Sequence, residues 1–328
     1  MTNRDRFLNV LNGKSVDRLP VTEWASWWDK TVTNWISEDP DCPREPQALF
    51  RYHNLDALHQ YWLPVGDGLT PPPAYHGAPV INDPDEFKRW LPHIYNENNY
   101  IWFLEWLKQV KPIHEKGETT VWYTFPGFFW FPRTLFGIEN HLFAFYDYPE
   151  LMHEMNERLT VYYEKVIPLM YNVLTPEFMT FAEDMAYNHG SMISKELFDE
   201  FIAPYYKRLV PLLKERGTKI IVDSDGFCEP LIPWFKELGV DGMLPCERQA
   251  GVDINRIRNN YPDFILIGGF DKMVMDKGEE AIRNEFERIL SVMRSGRYVP
   301  GVDHQTPPAV TLKDYRIYLR LFHEYALK

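Results

Sequence analysis

Acidic residues recur where a short apolar stretch of this sequence gives way to turn-forming residues. The acids at these junctions are Glu183, Asp184, Asp223, Asp225, Glu247, Asp271 and Asp303, and His304 directly follows the last of them. Carboxylates that converge repel one another unless a proton, a metal ion or a cationic substrate is present. Asp223 and Asp225 lie two positions apart on a predicted strand, so their side chains should share one face. That arrangement suits metal binding or acid/base catalysis.

Some of these acids have a simpler structural explanation. An Asp that follows a strand often caps a helix or a turn, and for Asp184 and Asp271 we weigh that role equally with a role in a site. The recurrence of acids at successive junctions favours a site. The residues predicted to be catalytic are Asp223, Asp225, His304 and Glu183.

Aromatic residues make up 16% of the chain, and many are grouped in its N-terminal half. Core packing is the usual role of such side chains, and the alternative is a wall around a large flat or apolar ligand. The residues predicted to contact substrate are Trp24, Trp27, Trp28, Phe125, Phe128 and Tyr187.

The elements that must position these residues are clearest in the C-terminal half. Short apolar strands are predicted at 177–183, 218–223, 240–244, 264–269 and 297–303. Amphipathic helices separate the strands; Ser194 and Thr311 are predicted N-caps, and Gly296 ends the helix before the last strand. Strands that alternate with helices indicate a parallel sheet. The N-terminal half adds predicted strands near 18–24 and 119–124, extra helices and a loop at 64–84.

The absence of a glycine-rich nucleotide motif favours a closed barrel over an open sheet. We therefore predict an α/β protein with one domain, residues 1–328, folded as a (β/α)8 TIM barrel with extra N-terminal helices. The sequence also lacks a P-loop, a G-x-S-x-G elbow and an H-E-x-x-H pair, which removes the common kinase, hydrolase and protease classes.

The formal net charge of −12 argues against nucleic acids and anionic membranes as partners. The three cysteines, Cys42, Cys228 and Cys246, form no disulfide framework. The first residues carry charges and lack the apolar core of a signal peptide. These features predict a cytoplasmic protein.

Several segments resemble, in order, the uroporphyrinogen decarboxylase superfamily. They are NRDRFLNVLNG (3–13), DRLPV (17–21), FAEDMAY (181–187), SKELFDEFIAPYYK (194–207), DSDGFCEPLIP (223–233), GGFDK (268–272) and DHQTPP (303–308). The resemblance spans essentially the whole chain. It implies a TIM barrel and one of two chemistries: decarboxylation of a tetrapyrrole without a cofactor, or zinc-assisted methyl transfer to or from a corrinoid.

Two departures from the family pattern favour the methyltransferase branch with an altered site. Decarboxylases of the family carry R-Q-A-G-R after the first strand, whereas this chain has EWASWW at 23–28 and lacks the arginines expected to hold propionates. The methyltransferase branch carries H-x-C and a later Cys, whereas Asp223-x-Asp225 and Asp303–His304 stand in those places here. The resemblance thus implies an altered set, Asp225, Glu247 and His304, that could hold Zn²⁺.

From this resemblance we predict a methyltransferase that moves a methyl group from a small methoxylated or methylated substrate to a corrinoid (cobalamin) on a carrier protein. A homodimer is a further expectation, since barrels of this family often pair. Two alternatives stay open. One is a lyase that decarboxylates a tetrapyrrole or a small acid, and the other is a non-catalytic binder of a corrinoid or tetrapyrrole.

Overall fold

A computed structural model describes residues 1–96 and 98–327 of the chain. The strands are β1 (Leu58–Trp62), β2 (Thr120–Pro126), β3 (Phe178–Ala182), β4 (Ala186–Tyr187), β5 (Gly190–Ser191), β6 (Lys219–Asp223), β7 (Gly242–Leu244), β8 (Ile265–Ile267) and β9 (Tyr298–Val299). Seven of them form one sheet in the order β1-β2-β3-β6-β7-β8-β9, and every neighbouring pair is parallel. Strands β4 and β5 form a small antiparallel hairpin after β3.

Helices connect the strands of this sheet. They are α1 (Asn3–Leu11), α2 (Asp29–Glu38), α3 (Pro46–Tyr52), α4 (Pro84–Trp90), α5 (Asn99–Glu115), α6 (Trp130–Phe136), α7 (Ile138–Asp147), α8 (Pro149–Val173), α9 (Lys195–Phe201), α10 (Ala203–Lys214), α11 (Ile232–Glu237), α12 (Ile254–Asn260), α13 (Glu279–Arg294) and α14 (Leu312–Ala326). Short 3-10 helices cover Leu91–His93, Glu229–Leu231, Arg248–Ala250 and Lys272–Val274. Among the helices described, none has the length and apolar character needed to cross a membrane.

Local signals in the C-terminal half gave correct predictions. The Ser194 hydroxyl accepts a hydrogen bond from Leu197 N at 3.3 Å, and the Thr311 hydroxyl accepts one from Asp314 N at 3.1 Å, so both predicted N-caps are confirmed. Helix α13 ends just before Gly296, which has a positive φ of 74°. The strands predicted at 177–183, 218–223, 240–244 and 264–269 correspond to β3, β6, β7 and β8.

The strands differ from the predictions in three places: one predicted strand is absent, one strand was not predicted, and one predicted strand is shorter than expected. Residues 18–24 form no strand; instead, Val21 N donates to the Asp56 carboxylate at 3.0 Å and the Thr22 hydroxyl donates to Asp56 O at 2.9 Å, so side chains replace ladder hydrogen bonds. Strand β1, which was not predicted, has the sequence LHQYW and mixes polar with apolar residues. The last predicted strand, 297–303, is reduced to the two residues of β9.

The segment that contains Thr22 lies between the two edges of the sheet. On the β1 side, Asp56 N donates to Val21 O at 2.8 Å. On the β9 side, the Trp24 indole N–H donates to Val302 O at 2.6 Å. The sheet is therefore curled so that both edges meet one segment. The α/β class and the parallel sheet are confirmed, but among the described residues the parallel sheet has seven strands and not the eight of a complete (β/α)8 barrel.

The carboxylate of Asp56 joins this segment to β1, and we expect Asp56→Asn to lower the free energy of unfolding by about 2 kcal/mol. The Asp56 carboxylate accepts hydrogen bonds from both terminal nitrogens of Arg18, at 2.6 and 2.7 Å, and from Val21 N. The Asp56 side chain is only 11% exposed, so water can do little to replace the ion pair that Arg18 loses in the Asn variant. Chemical denaturation followed by circular dichroism measures the change.

Asp85→Asn is the matched control for this substitution. Asp85 also pairs with a cation, Lys88 at 3.2 Å, but the side chains of Asp85 and Lys88 are 87% and 69% exposed. Exposed ion pairs contribute about 0–1 kcal/mol. Equal losses in the two variants would contradict a special role for Asp56 at the edge of the sheet.

A candidate active site at the carboxyl ends of the strands

The carboxyl ends of the sheet strands surround a cavity of about 340 Å³. Its lining residues are Trp24, Ala25, Ser26, Gln60, Trp62, Trp130, Ala182, Asp184, Asp223, Asp225, His304 and Gln305. Trp62 ends β1, Ala182 ends β3 and Asp223 ends β6. Active sites of parallel α/β barrels occupy this edge of the sheet. A cavity of about 370 Å³ between Leu91 and Lys165 is slightly larger, but it lies along α8 and has no strand-end acids.

Asp223 and Asp225 both face this cavity, as the D-x-D spacing predicts. Burial, together with the neighbouring Asp184 and Asp225, raises the pKa of Asp223 well above its usual value. Burial also raises the pKa of Asp225 to about 7, with further contributions from Asp184 and Glu247. At neutral pH these carboxyl groups can therefore hold protons, which is a property of general acids and bases.

His304 lies next to Asp225. Its Nε2 atom is 3.6 Å from Asp225 Oδ2, and its ring meets the Trp24 ring edge-on, with 6.4 Å between the centroids. Burial and, to a smaller extent, Lys272 lower the pKa of the imidazole. A neutral imidazole beside a carboxyl group that titrates near pH 7 is a pair that can exchange a proton with a ligand.

Asp303, which precedes this histidine, is fully buried and contacts residues of two other loops. Its carboxylate accepts hydrogen bonds from Arg248 N at 2.8 Å and Lys272 N at 3.1 Å. The Lys272 ammonium lies 3.4 Å from Asp303 and 3.5 Å from Glu247. Burial raises the pKa of Asp303 to about 6, although Lys272 lowers it. Asp303 thus positions the loops after β7, β8 and β9.

The predicted metal ligands, Asp225, Glu247 and His304, are not gathered into a coordination site. Within residues 1–96 and 98–327, no group of three or more His, Cys, Asp or Glu side chains is arranged to hold a metal ion. The Lys272 ammonium already lies beside Glu247. All three cysteines are buried, and burial raises the pKa of the two in the C-terminal half, which opposes the thiolate form that binds zinc. The donor set present does not fit a thiolate-type zinc centre.

Glu183 lies behind the cavity wall and is not one of the lining residues. Its fully buried carboxylate accepts hydrogen bonds from the backbone amides of 128–130, at 2.8 to 3.3 Å, and from the Tyr206 hydroxyl at 2.7 Å. A Cβ atom at Gly127 would lie 2.2 Å from Glu183 Cδ, so glycine is required there. Burial nevertheless raises the pKa of Glu183 to about 7. These contacts place Glu183 as the residue that holds the turn before α6.

The next residue, Asp184, has a strained backbone and does reach the cavity. Its φ of 42° lies in the left-handed region, which non-glycine residues adopt rarely. The strain is held by Arg133, which donates to Asp184 O at 2.6 Å, and by Asp225 N, which donates to Asp184 Oδ1 at 3.3 Å. Strained residues of this kind concentrate at functional sites.

Of the six aromatic residues predicted to contact substrate, the structure places only Trp24 at the cavity. Trp27 packs in the core against Phe50, and Phe125 and Phe128 are fully buried around Tyr163. These side chains fill space between helices and the sheet, which is the usual role of aromatic residues and not the ligand-contacting role predicted for these three.

The other two predicted aromatic residues lie outside the lining. Trp28 is 41% exposed and stands at the start of α2, and Tyr187 is 49% exposed on the β4–β5 hairpin. Two tryptophans outside that set of six, Trp62 and Trp130, line the cavity instead. Trp62 belongs to β1, so the failure to predict that strand also hid the tryptophan.

The family model for uroporphyrinogen decarboxylase (URO-D) matches residues 78–325. The chain belongs to the URO-D family. A search of the curated proteins found no significant match to this URO-D family member.

Solved structures share the fold of this URO-D protein at low sequence identity. A methyltransferase from Methanosarcina mazei superposes with a TM-score of 0.66 and 14% identity, covering 99% of each chain. A protein assigned as a vitamin-B12-independent methionine synthase of Listeria monocytogenes has a TM-score of 0.46 and 12% identity, covering 95% of this chain and 96% of its own. The likeness to the methanogen protein extends over the whole URO-D chain and shows a common fold.

Proposed function

We propose that this URO-D family member is a methyltransferase that moves a methyl group from a small methoxylated or methylated compound to the corrinoid of a carrier protein. Three findings support this. The chain belongs to the URO-D family, its fold is shared with a methyltransferase from Methanosarcina mazei, and the cavity lies where α/β barrels carry out chemistry.

The observation that carries the proposal is the charge of the cavity lining. Three aspartates line the cavity, and among the described residues no Arg or Lys does. A tetrapyrrole that bears several carboxylates would need cationic partners, above all arginine, and would be repelled here. The cavity volume of about 340 Å³ is also at the small end of the range of ligand sites, roughly 300–1,000 Å³. Both properties favour a small substrate without carboxylate clusters.

The residues that would act on such a substrate are Asp225 and His304. A methyl group that leaves an oxygen or a nitrogen returns an electron pair to that atom, which then takes up a proton. Asp225 can hold a proton near neutral pH, and His304 lies 3.6 Å away to exchange it. Trp24, Trp62 and Trp130 would exclude water around the methyl group. The corrinoid on its carrier would accept the methyl group, and no step needs a metal bound to the acids.

The test is a methyl-transfer assay with the purified chain and reduced cob(I)alamin as the acceptor. Methoxylated aromatic compounds, methylated amines and methylated sulfides are supplied one class at a time, and methylcobalamin and the demethylated product are measured by mass spectrometry. We expect substrate-dependent methylcobalamin with one class. Release of carbon dioxide from a tetrapyrrole or a small acid without corrinoid would replace the proposal with a decarboxylase. No transfer from any class by the folded protein would reject it.

A further inference from the structure

Three tryptophans converge on the cavity from different parts of the chain. Trp62 and Trp130 form a tilted pair with ring centroids 5.7 Å apart, and Trp62 keeps 46% of its surface exposed. Trp24 lines the same cavity and is fixed by the hydrogen bond from its indole N–H to Val302 O. Indole rings that stay accessible in a cavity offer both an apolar surface and a negative π face.

The polar part of the lining has an excess of negative groups. Asp184, Asp223 and Asp225 line the cavity, and the Asp223 carboxylate accepts no hydrogen bond from the residues that the structure describes. The charge of Lys272 lowers the pKa of Asp225, but Lys272 is not one of the lining residues. Its ammonium is held by the Gln249 side chain at 2.7 Å and by the carboxylates of Glu247 and Asp303. The cavity therefore combines three indoles with three carboxyl groups whose ionised forms have no cationic partner in the lining. A bound cation would favour those ionised forms.

We infer that the substrate of this site is a small methylated ammonium cation, bound with its N-methyl groups against Trp24, Trp62 and Trp130 and its charge facing the three aspartates. The inference rests on the proposed methyl transfer and names its substrate class. Tryptophan is the strongest cation–π partner among side chains, and aromatic cages are the common way to bind quaternary ammonium groups. A neutral methoxylated compound would use the indoles but leave the carboxylates without a cation.

The transfer step balances for this substrate. The bond between the methyl carbon and the ammonium nitrogen breaks, and its electron pair stays on nitrogen, so a quaternary ammonium ion leaves as a neutral tertiary amine. The methyl acceptor named in the proposal, a cobalt(I) corrinoid on a carrier protein, would supply the electron pair of the new carbon–cobalt bond and would thereby become cobalt(III). The tertiary amine then takes up a proton, for which Asp225 and His304 are placed, so the product keeps a positive charge but has one N-methyl group fewer to contact the indoles.

Binding measurements test the inference without any corrinoid. We expect calorimetry to show that the full chain binds tetramethylammonium and choline, and binds 3,3-dimethyl-1-butanol, the neutral isostere of choline, at least about tenfold more weakly. Trp62→Leu and Trp130→Leu should each weaken choline binding by about five- to tenfold. Trp102→Leu is the matched control, since Trp102 is 61% exposed on α5 and outside the cavity, and it should bind choline like the parent chain.

The transfer assay described above separates the two hypotheses. Equal binding of choline and its neutral isostere, or unchanged binding in both cavity variants, would overturn the substrate class. Methyl transfer from neutral methoxylated compounds, with no binding of either cation, would overturn it and leave the methyltransferase proposal standing. Binding of the cations with no transfer from any compound would overturn the methyltransferase proposal and the substrate assignment together.

Discussion

Replacing Glu23 by glutamine is expected to remove a steep loss of stability that the parent protein suffers as the pH rises from about 5 to about 8. Glu23 is 2% exposed; its Oε1 accepts a hydrogen bond from the Tyr315 hydroxyl at 3.1 Å, while its Oε2 accepts none from the described residues. Burial raises the pKa of Glu23 to about 8. The folded protein therefore keeps this proton over a range in which the unfolded chain releases it.

The sign and the size of the effect follow from this difference. Below the unfolded pKa of 4.5 both states are protonated, and stability does not depend on this group. Between that value and about pH 8 only the folded state holds the proton, so stability falls by about 1.4 kcal/mol per pH unit. The total loss is on the order of 3–5 kcal/mol. Glutamine has about the same size and no titratable proton, so the free energy of unfolding of Glu23→Gln should lack this contribution to the pH dependence.

The measurement is the free energy of unfolding at several pH values from 5 to 9, compared between Glu23→Gln and the parent chain. Glu215→Gln serves as the control, because Glu215 is exposed at the end of α10 and should leave the pH dependence unchanged. Parallel curves for the parent and Glu23→Gln would show that Glu23 is not protonated in the folded state.

Asp225→Asn is expected to reduce kcat/KM for methyl transfer by about 100-fold or more. The amide has the size of the carboxyl group but neither carries charge nor exchanges a proton at neutral pH. Asp225 faces the cavity, its pKa is raised to about 7, and His304 is its neighbour at 3.6 Å. Steady-state kinetics with the compound class identified in the transfer assay gives the ratio directly.

Asp271→Asn is the matched control for that experiment. Asp271 also follows a strand, but its carboxylate caps a short 3-10 helix by accepting a hydrogen bond from Met273 N at 2.9 Å. It accepts a second hydrogen bond from the Gln249 side-chain amide at 2.6 Å. Asparagine is an equally good cap, so activity should stay within about threefold of the parent. If Asp225→Asn kept more than a tenth of the parent activity, Asp225 would not be an essential group of the site.

The sequence predicted the position of the acids better than their roles. Glu183 and Asp184 are neighbours after the same strand, but only Glu183 was predicted to be catalytic, while for Asp184 a capping role was weighed equally with a role in a site. In the structure Asp184 lines the cavity, while Glu183 points away and binds the backbone of 128–130. Both residues lie beyond the end of β3, and Asp184 has a φ of 42°, so the alternation of side chains along a strand does not apply to them. Contacts with distant segments decide which of the two side chains reaches the cavity.

The predicted zinc site is a second case in which the sequence predicted the positions of the residues but not their roles. Asp225, Glu247 and His304 all follow strands of the parallel sheet, so their proximity could be predicted. The Lys272 side chain, which lies between Glu247 and Asp303, belongs to a different loop. Nothing in the local sequence indicates where a long flexible side chain will place its charge, because packing against neighbouring loops decides it.

The sequence by itself determined the elements whose signals are local. Ser194 and Thr311 cap their helices, and the apolar run of β3 forms a fully buried strand, because a cap needs only the next few residues and a buried parallel strand needs only apolar residues. Tertiary structure alone decided that Trp62 and Trp130 face one cavity and that residues 19–25 lie between the edges of the sheet. Those outcomes depend on contacts between residues far apart in the chain, which no short stretch of sequence encodes.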